Sequence, residues 1–256
     1  MQTIKRVSQI FSLFSIDRNE LGVSEISRET GIPKGTTHRI LKSLEEENFL
    51  EQGENGSYSP GMRLFNLGKI VEKNISIINL AHPVLKKLSQ KHSCAAHLAF
   101  LDGPNAVYID KYVSNNFFEF ASKIGMRVPA YATALGKIML SYLEEEKIKE
   151  LFGGFSFKPY TQKTITNLDS LLDELKVCKK QGYAIDNEEI CKGLKCYAVP
   201  IFNTSGVVEA ALSLSKPTNL FESKEEDEII NSLLKASSIL NRKMTGQSTS
   251  DLIDHL

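Results

Sequence analysis

Hydrophobic residues recur at helical spacing near the start of the chain. They follow steps of three and four and are Ile4, Val7, Ile10, Phe11, Leu13 and Phe14. This period predicts an amphipathic helix over about residues 3–16. A second short helix is predicted to begin at a capping Ser24 and to end before Gly31. A third is predicted from Pro33, whose missing N–H suits the first turn of a helix.

The third helix has two contrasting faces, and a turn signal follows it. An inner face carries Ile40, Leu41 and Leu44, and the opposite face carries Gly35, His38, Arg39 and Lys42. The dipeptide Asn55-Gly56 lies between two short β-prone runs and predicts a two-residue hairpin. Three helices followed by a hairpin is the order of elements in a winged helix-turn-helix.

The start of the third helix carries side chains that suit DNA. In a helix-turn-helix this helix enters the major groove and presents its N-terminal residues to base edges. Thr36, Thr37, His38 and Arg39 offer hydroxyl, imidazole and guanidinium groups for bases or phosphates. We expect Lys34, Lys42 and the hairpin to contact phosphates. The alternative is a three-helix unit that docks on a protein, but such a surface more often shows apolar anchors at this place.

A heptad-like pattern follows the hairpin. Its apolar positions are Leu64, Leu67, Val71, Ile75 and Ile78. The pattern predicts a linking helix over residues 62–78 that pairs with a second copy of itself. A helix that covers its own domain is the alternative.

Helices and strands alternate from about residue 79. Helices are predicted over residues 80–92, 134–143, 168–182 and 225–243, and strands over residues 94–103 and 105–113 and on both sides of a turn at residues 203–206. Antiparallel strands flanked by helices indicate an α+β domain.

Composition restricts the class of protein. With 31 basic and 31 acidic residues the chain is formally neutral, which argues against a non-specific nucleic-acid coat but allows a reader with a local basic face. No apolar run is long enough to span a bilayer, and the first residues lack the features of a signal peptide. The four cysteines are too few and too scattered for a disulfide framework. We therefore expect a cytoplasmic protein.

Several polar residues are candidates for a sensing site. Ser213 and Ser215 are two apart on a predicted strand, so their hydroxyls share a face. Thr133 is suited to cap a helix that begins at Ala134, which would leave N–H groups of Ala134 and Leu135 for an anion. Asp186 and Cys196 flank a loop between two strands. Each has a plainer interpretation: small serines under a helix, a turn-forming Asp and a small core Cys.

The chain resembles the IclR (isocitrate lyase regulator) family of bacterial transcription factors. The resemblance begins with LGVSEISRETGIPKGTTHRILKSLEEENFLEQGENGSYSPGMRLFNLG (residues 21–68) and continues through AHPVLKKLSQ, HLAFLDGPNAVYIDK, GMRVPAYATALGKIMLSYL and residues 161–217. It covers about residues 4–243. One departure is Gly35, where the family usually carries Ser, so a hydroxyl is missing from the helix start.

The resemblance implies a ligand-responsive regulator, more often a repressor than an activator, in the form of a dimer or tetramer on operator DNA. The expected domains are a winged helix-turn-helix (1–61), a linker helix (62–78), a GAF-like effector-binding domain (79–245) and a tail (246–256). The expected DNA-binding residues are Lys34, Gly35, Thr36, Thr37, His38, Arg39 and Lys42. Effector binding would shift the relative placement of two DNA-binding domains.

The resemblance also implies an effector pocket for a small carboxylate or sugar acid. Its residues would be Phe120, Val128, Ala134, Leu135, Asp186, Leu194, Cys196, Ser213 and Ser215. The ligand carboxylate would point to the start of the helix at Ala134, and Asp186 would accept hydrogen bonds from ligand hydroxyls. No cofactor or catalytic residue is expected. The alternatives are a thiol-based redox sensor or enzyme that uses Cys196, and zinc at Cys191 and Cys196 with Cys178 or His97.

Overall fold

A computed structural model describes residues 2–74, 76–114, 122–221 and 225–244. The chain forms two compact units, Met1–Ile75 and Ser76–Leu256. Phe120, Ile75 and the expected tail at 246–256 lie outside the described residues. In the described part no helix is long and apolar enough to cross a membrane.

The first unit contains four helices and a two-stranded sheet. These are α1 (Gln2–Phe11), α2 (Val23–Thr30), α3 (Lys34–Glu46), β1 (Leu50–Gln52), β2 (Tyr58–Pro60) and α4 (Met62–Asn74). The order of three helices, a hairpin and a linking helix is the predicted one. The linking helix ends earlier than expected, because Ile78 already belongs to the next helix.

Helix ends in this unit differ from the prediction in two places. Helix α1 stops at Phe11 rather than near residue 16. Ser24 does not cap α2, since Gly22 holds the capping position and its N–H donates to Glu25 Oε2 at 3.4 Å. Gly31 ends α2 as predicted, with a left-handed φ of 69° that residues other than glycine rarely adopt.

The hairpin has a longer loop than the predicted two residues. Its strands pair Gln52 with Tyr58, and beyond this pair the N–H of Gly53 donates to Ser57 O at 2.9 Å. The N–H of Gly56 donates to Gly53 O at 2.9 Å, and Gly56 has a positive φ of 78°. This is the three-residue arrangement of a turn followed by a left-handed glycine.

One apolar cluster holds the first unit together. It comprises the buried residues Ile10, Leu21, Ile26, Ile32, Leu41, Leu50 and Tyr58. Leu21 also exchanges both backbone hydrogen bonds with Tyr58, at 3.0 and 2.9 Å. The hairpin is thereby anchored to the segment before α2, which fixes its position beside α3 within this unit.

The second unit contains five helices and six strands among its described residues. They are α5 (Ser76–His92), β3 (Ala95–Asp102), β4 (Asn105–Val113), β5 (Arg127–Pro129), a 3-10 turn (Ala130–Ala132), α6 (Ala134–Leu140), α7 (Glu145–Phe152), α8 (Leu168–Gln181), β6 (Ala184–Asn187), β7 (Leu194–Phe202), β8 (Val208–Pro217), a second 3-10 turn (Thr218–Leu220) and α9 (Glu225–Met244). The predicted α+β class is confirmed. Helix α7 and strand β5 were not predicted.

The six strands form one antiparallel sheet in the order β5-β4-β3-β8-β7-β6. Helices α5 and α9 pack together on one face, and α6, backed by α8, packs on the other. The α6 side of the sheet is lined by small residues, which are Ala99, Ala198 and Ala211. Because these side chains are small, α6 can lie close to the strands.

Gly136 in α6 is in close contact with the backbone that precedes this helix. A Cβ atom at this position would lie 2.1 Å from Ala130 Cα and 2.3 Å from Ala130 O. Real Cβ contacts are never this short, so any other residue would force the helix away from the 3-10 turn. The position of α6 therefore depends on glycine here.

We predict that Gly136→Ala destabilises the second unit by about 2 kcal/mol or more, as overpacking against rigid backbone does. The matched control is Gly68→Ala in α4, where an added Cβ meets nothing within 4 Å and helix propensity favours alanine by about 1 kcal/mol. Urea unfolding followed by circular dichroism measures both. Equal stability of Gly136→Ala and wild type would contradict the close contact.

Candidate functional site

The exposed face of α3 carries most of the residues predicted to touch DNA. Pro33 precedes the helix at its capping position, and the exposed residues that follow are Lys34, Gly35, His38, Arg39 and Lys42. Thr36 is half-buried. Together with Arg39 it lines a shallow cleft formed by α1, α3 and the segment that follows α3. This face therefore offers donors in a row along one side of the helix.

Thr37 does not belong to this face, which corrects the prediction. It is fully buried, and its hydroxyl lies 3.2 Å from Ile32 O and 3.3 Å from Pro33 O. The hydroxyl donates to the carbonyl groups at the start of α3 and has a structural role there. Helical spacing explains the error, since a residue next to His38 in sequence lies about 100° away around the helix.

The acidic residues of the first unit are partly neutralised within it. Glu45 pairs with Lys42 at 2.8 Å, and Glu47 pairs with Arg63 at 2.9 Å. Exposed pairs of this kind contribute only about 0–1 kcal/mol, so Lys42 can exchange Glu45 for a phosphate at small cost. The pairing with Glu45 therefore does not prevent Lys42 from contacting a phosphate.

A second candidate site is a cavity of about 230 Å³ between α6 and the sheet of the second unit. Eight of the nine predicted effector residues line it, namely Val128, Ala134, Leu135, Asp186, Leu194, Cys196, Ser213 and Ser215. The ninth, Phe120, lies outside the described residues. Residues that are up to about 90 positions apart in the chain thus surround one space.

Strand register explains how the polar residues meet. Asp186 on β6 is paired with Cys196 on β7, and Cys196 is paired with Ser215 on β8. In the neighbouring row Ser213 lies between Ala198 and His97. Because alternate residues of a strand share a face, both rows point toward α6. The polar floor of the cavity is therefore a consequence of sheet pairing.

The start of α6 forms another wall. Thr133 caps the helix, with its Oγ1 accepting the N–H of Gly136 at 3.2 Å, as predicted. Ala134 and Leu135 follow and line the cavity. Their position next to the polar floor places the first turn of α6 and the two serines around the same space.

Several lining residues were not predicted as effector contacts. They are Tyr108, Ser122, Met126 and Ile190, whereas His97 and Cys191 were considered only as zinc ligands and Thr133 only as a cap. The one signal in the sequence is His97, a polar residue in the middle of the apolar strand AAHLAFL. Its ring nitrogen Nε2 lies 2.9 Å from Ser122 Oγ, and its ring centroid lies 4.9 Å from that of Tyr108. Burial, followed by the charge of Lys111, lowers the pKa of His97 to about 3, so the imidazole is neutral.

Asp186 is a buried ionisable group in the wall of the cavity. It is 1% exposed, and its Oδ1 accepts the N–H groups of Glu189 at 2.7 Å and Ile190 at 3.4 Å. Its Oδ2 is buried and has no hydrogen-bond partner among the described residues. Burial raises the pKa of Asp186 to about 7, because desolvation disfavours the charged form.

The loop that donates to Asp186 is held by a buried ion pair. Lys137 of α6 is 1% exposed, and its Nζ lies 2.6 Å from Glu189 Oε1 and 2.9 Å from Glu174 Oε1. Burial lowers the pKa of Lys137, but the two carboxylates outweigh it and raise the pKa above the usual lysine value. The hydroxyl of Thr164 also donates to Glu189 O at 2.6 Å. The loop is thereby fixed against α6.

Three of the four cysteines, Cys94, Cys178 and Cys196, are buried thiols, whereas Cys191 is exposed. Burial raises the pKa of Cys94 and Cys178 to about 12 and that of Cys196 well above its usual value. A thiol that stays protonated is a poor nucleophile and a poor metal ligand. Among the described residues no three His, Cys, Asp or Glu side chains are grouped closely enough to hold a metal ion.

Comparisons with known proteins identify relatives over the whole chain. Residues 3–54 match the family model described as the IclR helix-turn-helix domain, and residues 70–242 match that of the bacterial transcriptional regulator IclR C-terminal. The HTH-type transcriptional regulator XynR of Escherichia coli is 35% identical over 95% of this chain and 97% of its own. The regulator KdgR of the same organism is 34% identical over 93% of both chains.

A solved structure shares the fold. It is that of an IclR homologue from Microbacterium hydrocarbonoxydans in complex with 4-hydroxybenzoate. It superposes with a TM-score of 0.79 at 23% identity and covers 96% of this chain and all of its own. The matched relatives named above are regulators of transcription rather than enzymes.

Proposed function

This chain belongs to the IclR family of bacterial transcriptional regulators, and from that membership we propose that it is a repressor whose operator affinity falls when a small carboxylate or sugar acid binds its second unit. The first unit reads DNA, α4 joins two copies, and the second unit, over residues 79–245, binds the effector. The cavity at Asp186, Ser213 and Ser215 carries the proposal. It is mostly apolar and has a few convergent polar groups, as sites for small ligands do. DNA binding also implies that the protein acts in the cytoplasm.

For DNA, we propose that Arg39 contacts bases or phosphates and that Lys34, Lys42 and the hairpin position the protein on phosphates. Their exposure on α3 supports this role. His38 and Thr36 lie beside Arg39 and can donate to the same groove. Because Gly35 has no side chain, it lets the backbone of α3 approach the DNA closely and makes no side-chain contact itself.

We predict that Arg39→Ala weakens binding to an operator fragment by about tenfold or more, since one bidentate contact contributes roughly 1–3 kcal/mol. The fragment is selected by footprinting the region upstream of the protein's own gene, and affinity is measured by fluorescence anisotropy at several salt concentrations. The control Lys176→Ala removes one exposed positive charge from α8 and should bind as wild type does. Wild-type protein without a salt-sensitive preference for any promoter fragment would contradict the function.

For the effector, we propose that Ser213, Ser215 and the first turn of α6 hold the acid. The apolar residues Val128, Leu135 and Leu194 contact its apolar part. The effector changes DNA affinity because it binds one DNA-binding state of the protein more tightly than the other. The acid bound to the Microbacterium homologue makes 4-hydroxybenzoate a suitable first probe.

We predict that at least one acid in a panel of small organic acids and sugar acids, including 4-hydroxybenzoate, raises the melting temperature and releases the operator. In Ser213→Ala the acid concentration needed for release should rise about five- to tenfold, the effect of one lost hydrogen bond of about 1 kcal/mol. The control Ser141→Ala removes a hydroxyl that donates to Ile138 O at 2.8 Å, away from the cavity. If an acid tightens operator binding, the protein is an activator or a repressor that needs the acid as its co-repressor. If no acid in the panel binds, the proposal of an acidic effector fails.

For self-association, we propose a homodimer through α4. Its exposed apolar residues are Met62, Phe65, Leu67, Ile70 and Val71, each with 46–60% of its surface accessible. Of these, Leu67 and Val71 share a stripe with Leu64, as predicted from the heptad-like spacing. An apolar stripe of this kind on a single helix is covered in a pair of helices.

We predict that Leu67→Glu gives a monomer at micromolar concentration, because the glutamate would be buried without a partner in the paired helices. Operator affinity should fall by at least about tenfold, since two linked DNA-binding domains gain affinity from their high effective concentration on the operator. Light scattering and anisotropy measure the two effects. Asn66→Glu, which adds the same charge away from the stripe, is the control; a dimeric Leu67→Glu would exclude this interface.

A further inference from the structure

Asp186 combines three features that bear on how an acid is held. Its Oδ2 is buried in the wall of the cavity and has no hydrogen-bond partner among the described residues. Its Oδ1 is already occupied by the N–H groups of Glu189 and Ile190. The described lining includes no lysine or arginine. A carboxylate ligand therefore enters a space that contains a carboxyl group and no basic side chain among the described lining residues.

We infer that the effector binds as a carboxylate that shares a proton with Asp186, so that the protein takes up a proton when the acid binds. This inference rests on the proposed function, because it requires an acidic effector. It replaces the expectation that Asp186 only accepts hydrogen bonds from ligand hydroxyls. The protonated Oδ2 donates to a ligand oxygen, and the bond that forms is an O–H···O⁻ hydrogen bond of the strong, charge-assisted kind.

The cavity is small enough for a bound carboxylate to interact with the charge of Asp186. A sphere with the cavity's volume of about 230 Å³ is about 8 Å across, and a carboxylate on the far side of such a sphere would lie about 8 Å from Asp186. With an effective dielectric constant near 20, two negative charges at that distance repel enough to disfavour the doubly ionised complex by more than about tenfold. Two carboxyl groups in one site are held together by sharing a proton.

Burial favours the neutral form of Asp186, and the groups around it act in both directions. The negative charge of Glu189 raises its pKa, whereas the N–H groups of Glu189 and Ile190 and the charge of Lys137 lower it. Lys137 is already committed to Glu189 and Glu174 at 2.6 and 2.9 Å. In the strands, burial raises the pKa of Cys196 and of Tyr108, so both are neutral. With His97 neutral as well, these neighbours carry no positive charge that would ionise Asp186.

The test uses full-length protein and 4-hydroxybenzoate in isothermal titration calorimetry at pH 6, 7 and 8. Its carboxyl group is ionised throughout this range. If the acid binds only the protonated form of Asp186, whose pKa is raised to about 7, the dissociation constant should rise about tenfold from pH 6 to pH 8. The heats measured in buffers of different ionisation enthalpy should show uptake of nearly one proton at pH 8. Constant affinity without proton uptake would overturn the inference and leave the proposed effector function intact.

Asp186→Asn is the decisive variant. Its amide keeps an oxygen for the loop N–H groups and a donor for the ligand, but it cannot ionise. We expect it to bind 4-hydroxybenzoate at pH 8 as tightly as wild type does at pH 6, with no pH dependence. The control Asp173→Asn, an exposed residue of α8, should keep the wild-type pH profile. Loss of binding at every pH in Asp186→Asn would show that an ionised acceptor is needed and would overturn the inference.

A measurement without ligand covers the case in which 4-hydroxybenzoate does not bind. When the pKa of a carboxyl is raised in the folded state, as that of Asp186 is to about 7, the free energy of unfolding falls as pH rises from about 4 through about 7. Between pH 5 and pH 8 the unfolding equilibrium constant of wild type should therefore increase about 100-fold relative to Asp186→Asn. If 4-hydroxybenzoate fails to bind but this increase is seen, 4-hydroxybenzoate is not the effector. The result would still support a protonated Asp186 in the cavity. Parallel pH curves for the two proteins would overturn the inference.

Discussion

The wall of the cavity depends on one buried charge, the ammonium group of Lys137. Removing a charge from water is costly, and the cost is offset only when partners are close and well placed. Glu189 and Glu174 supply that offset at 2.6 and 2.9 Å, and Glu189 belongs to the loop whose N–H groups bind Asp186. The helix that provides Ala134 and Leu135 at its start thus also positions the opposite wall. Loss of both carboxylates would leave an uncompensated charge in the interior.

The polar floor depends on the sheet rather than on local sequence. Asp186, Cys196 and Ser215 form one row across three strands, and Ser213 and His97 belong to the next. A slip of one residue in any of these pairings would turn the row toward α5 and α9 and present apolar residues to the cavity. A core that served packing alone would hold apolar residues in such a row, because burial of Asp186 costs free energy. Under the proposed function, a ligand that uses these groups would offset that cost.

The sequence predicts the elements well wherever a periodic pattern and a turn signal coincide, as at Gly31, Thr133 and residues 203–206. The wrong details depend on three-dimensional context. Whether Asn55-Gly56 closes a two-residue or a three-residue loop is decided by the pairing of Gly53 with Ser57. Thr37 is buried because the chain before α3 folds back over it. The ion pair of Lys137 with Glu189 joins residues 52 positions apart, so a local sequence pattern does not predict it. The nine candidate effector residues were predicted through the family resemblance, and eight of them line the cavity; spacing alone favours small core residues at several of those positions.

The two units rely on different electrostatic conditions. In the first unit the charged groups lie at the surface and acids are paired locally, as Glu45 is with Lys42, so its attraction for DNA is screened by salt. In the second unit the relevant charges are buried, where salt screens little and proton binding decides the charge. Salt concentration therefore acts mainly on DNA recognition and pH mainly on effector recognition. On the proposals made above, a change at α3 or the hairpin should alter the salt dependence of operator binding, and a change at Asp186 should alter the pH dependence of acid binding.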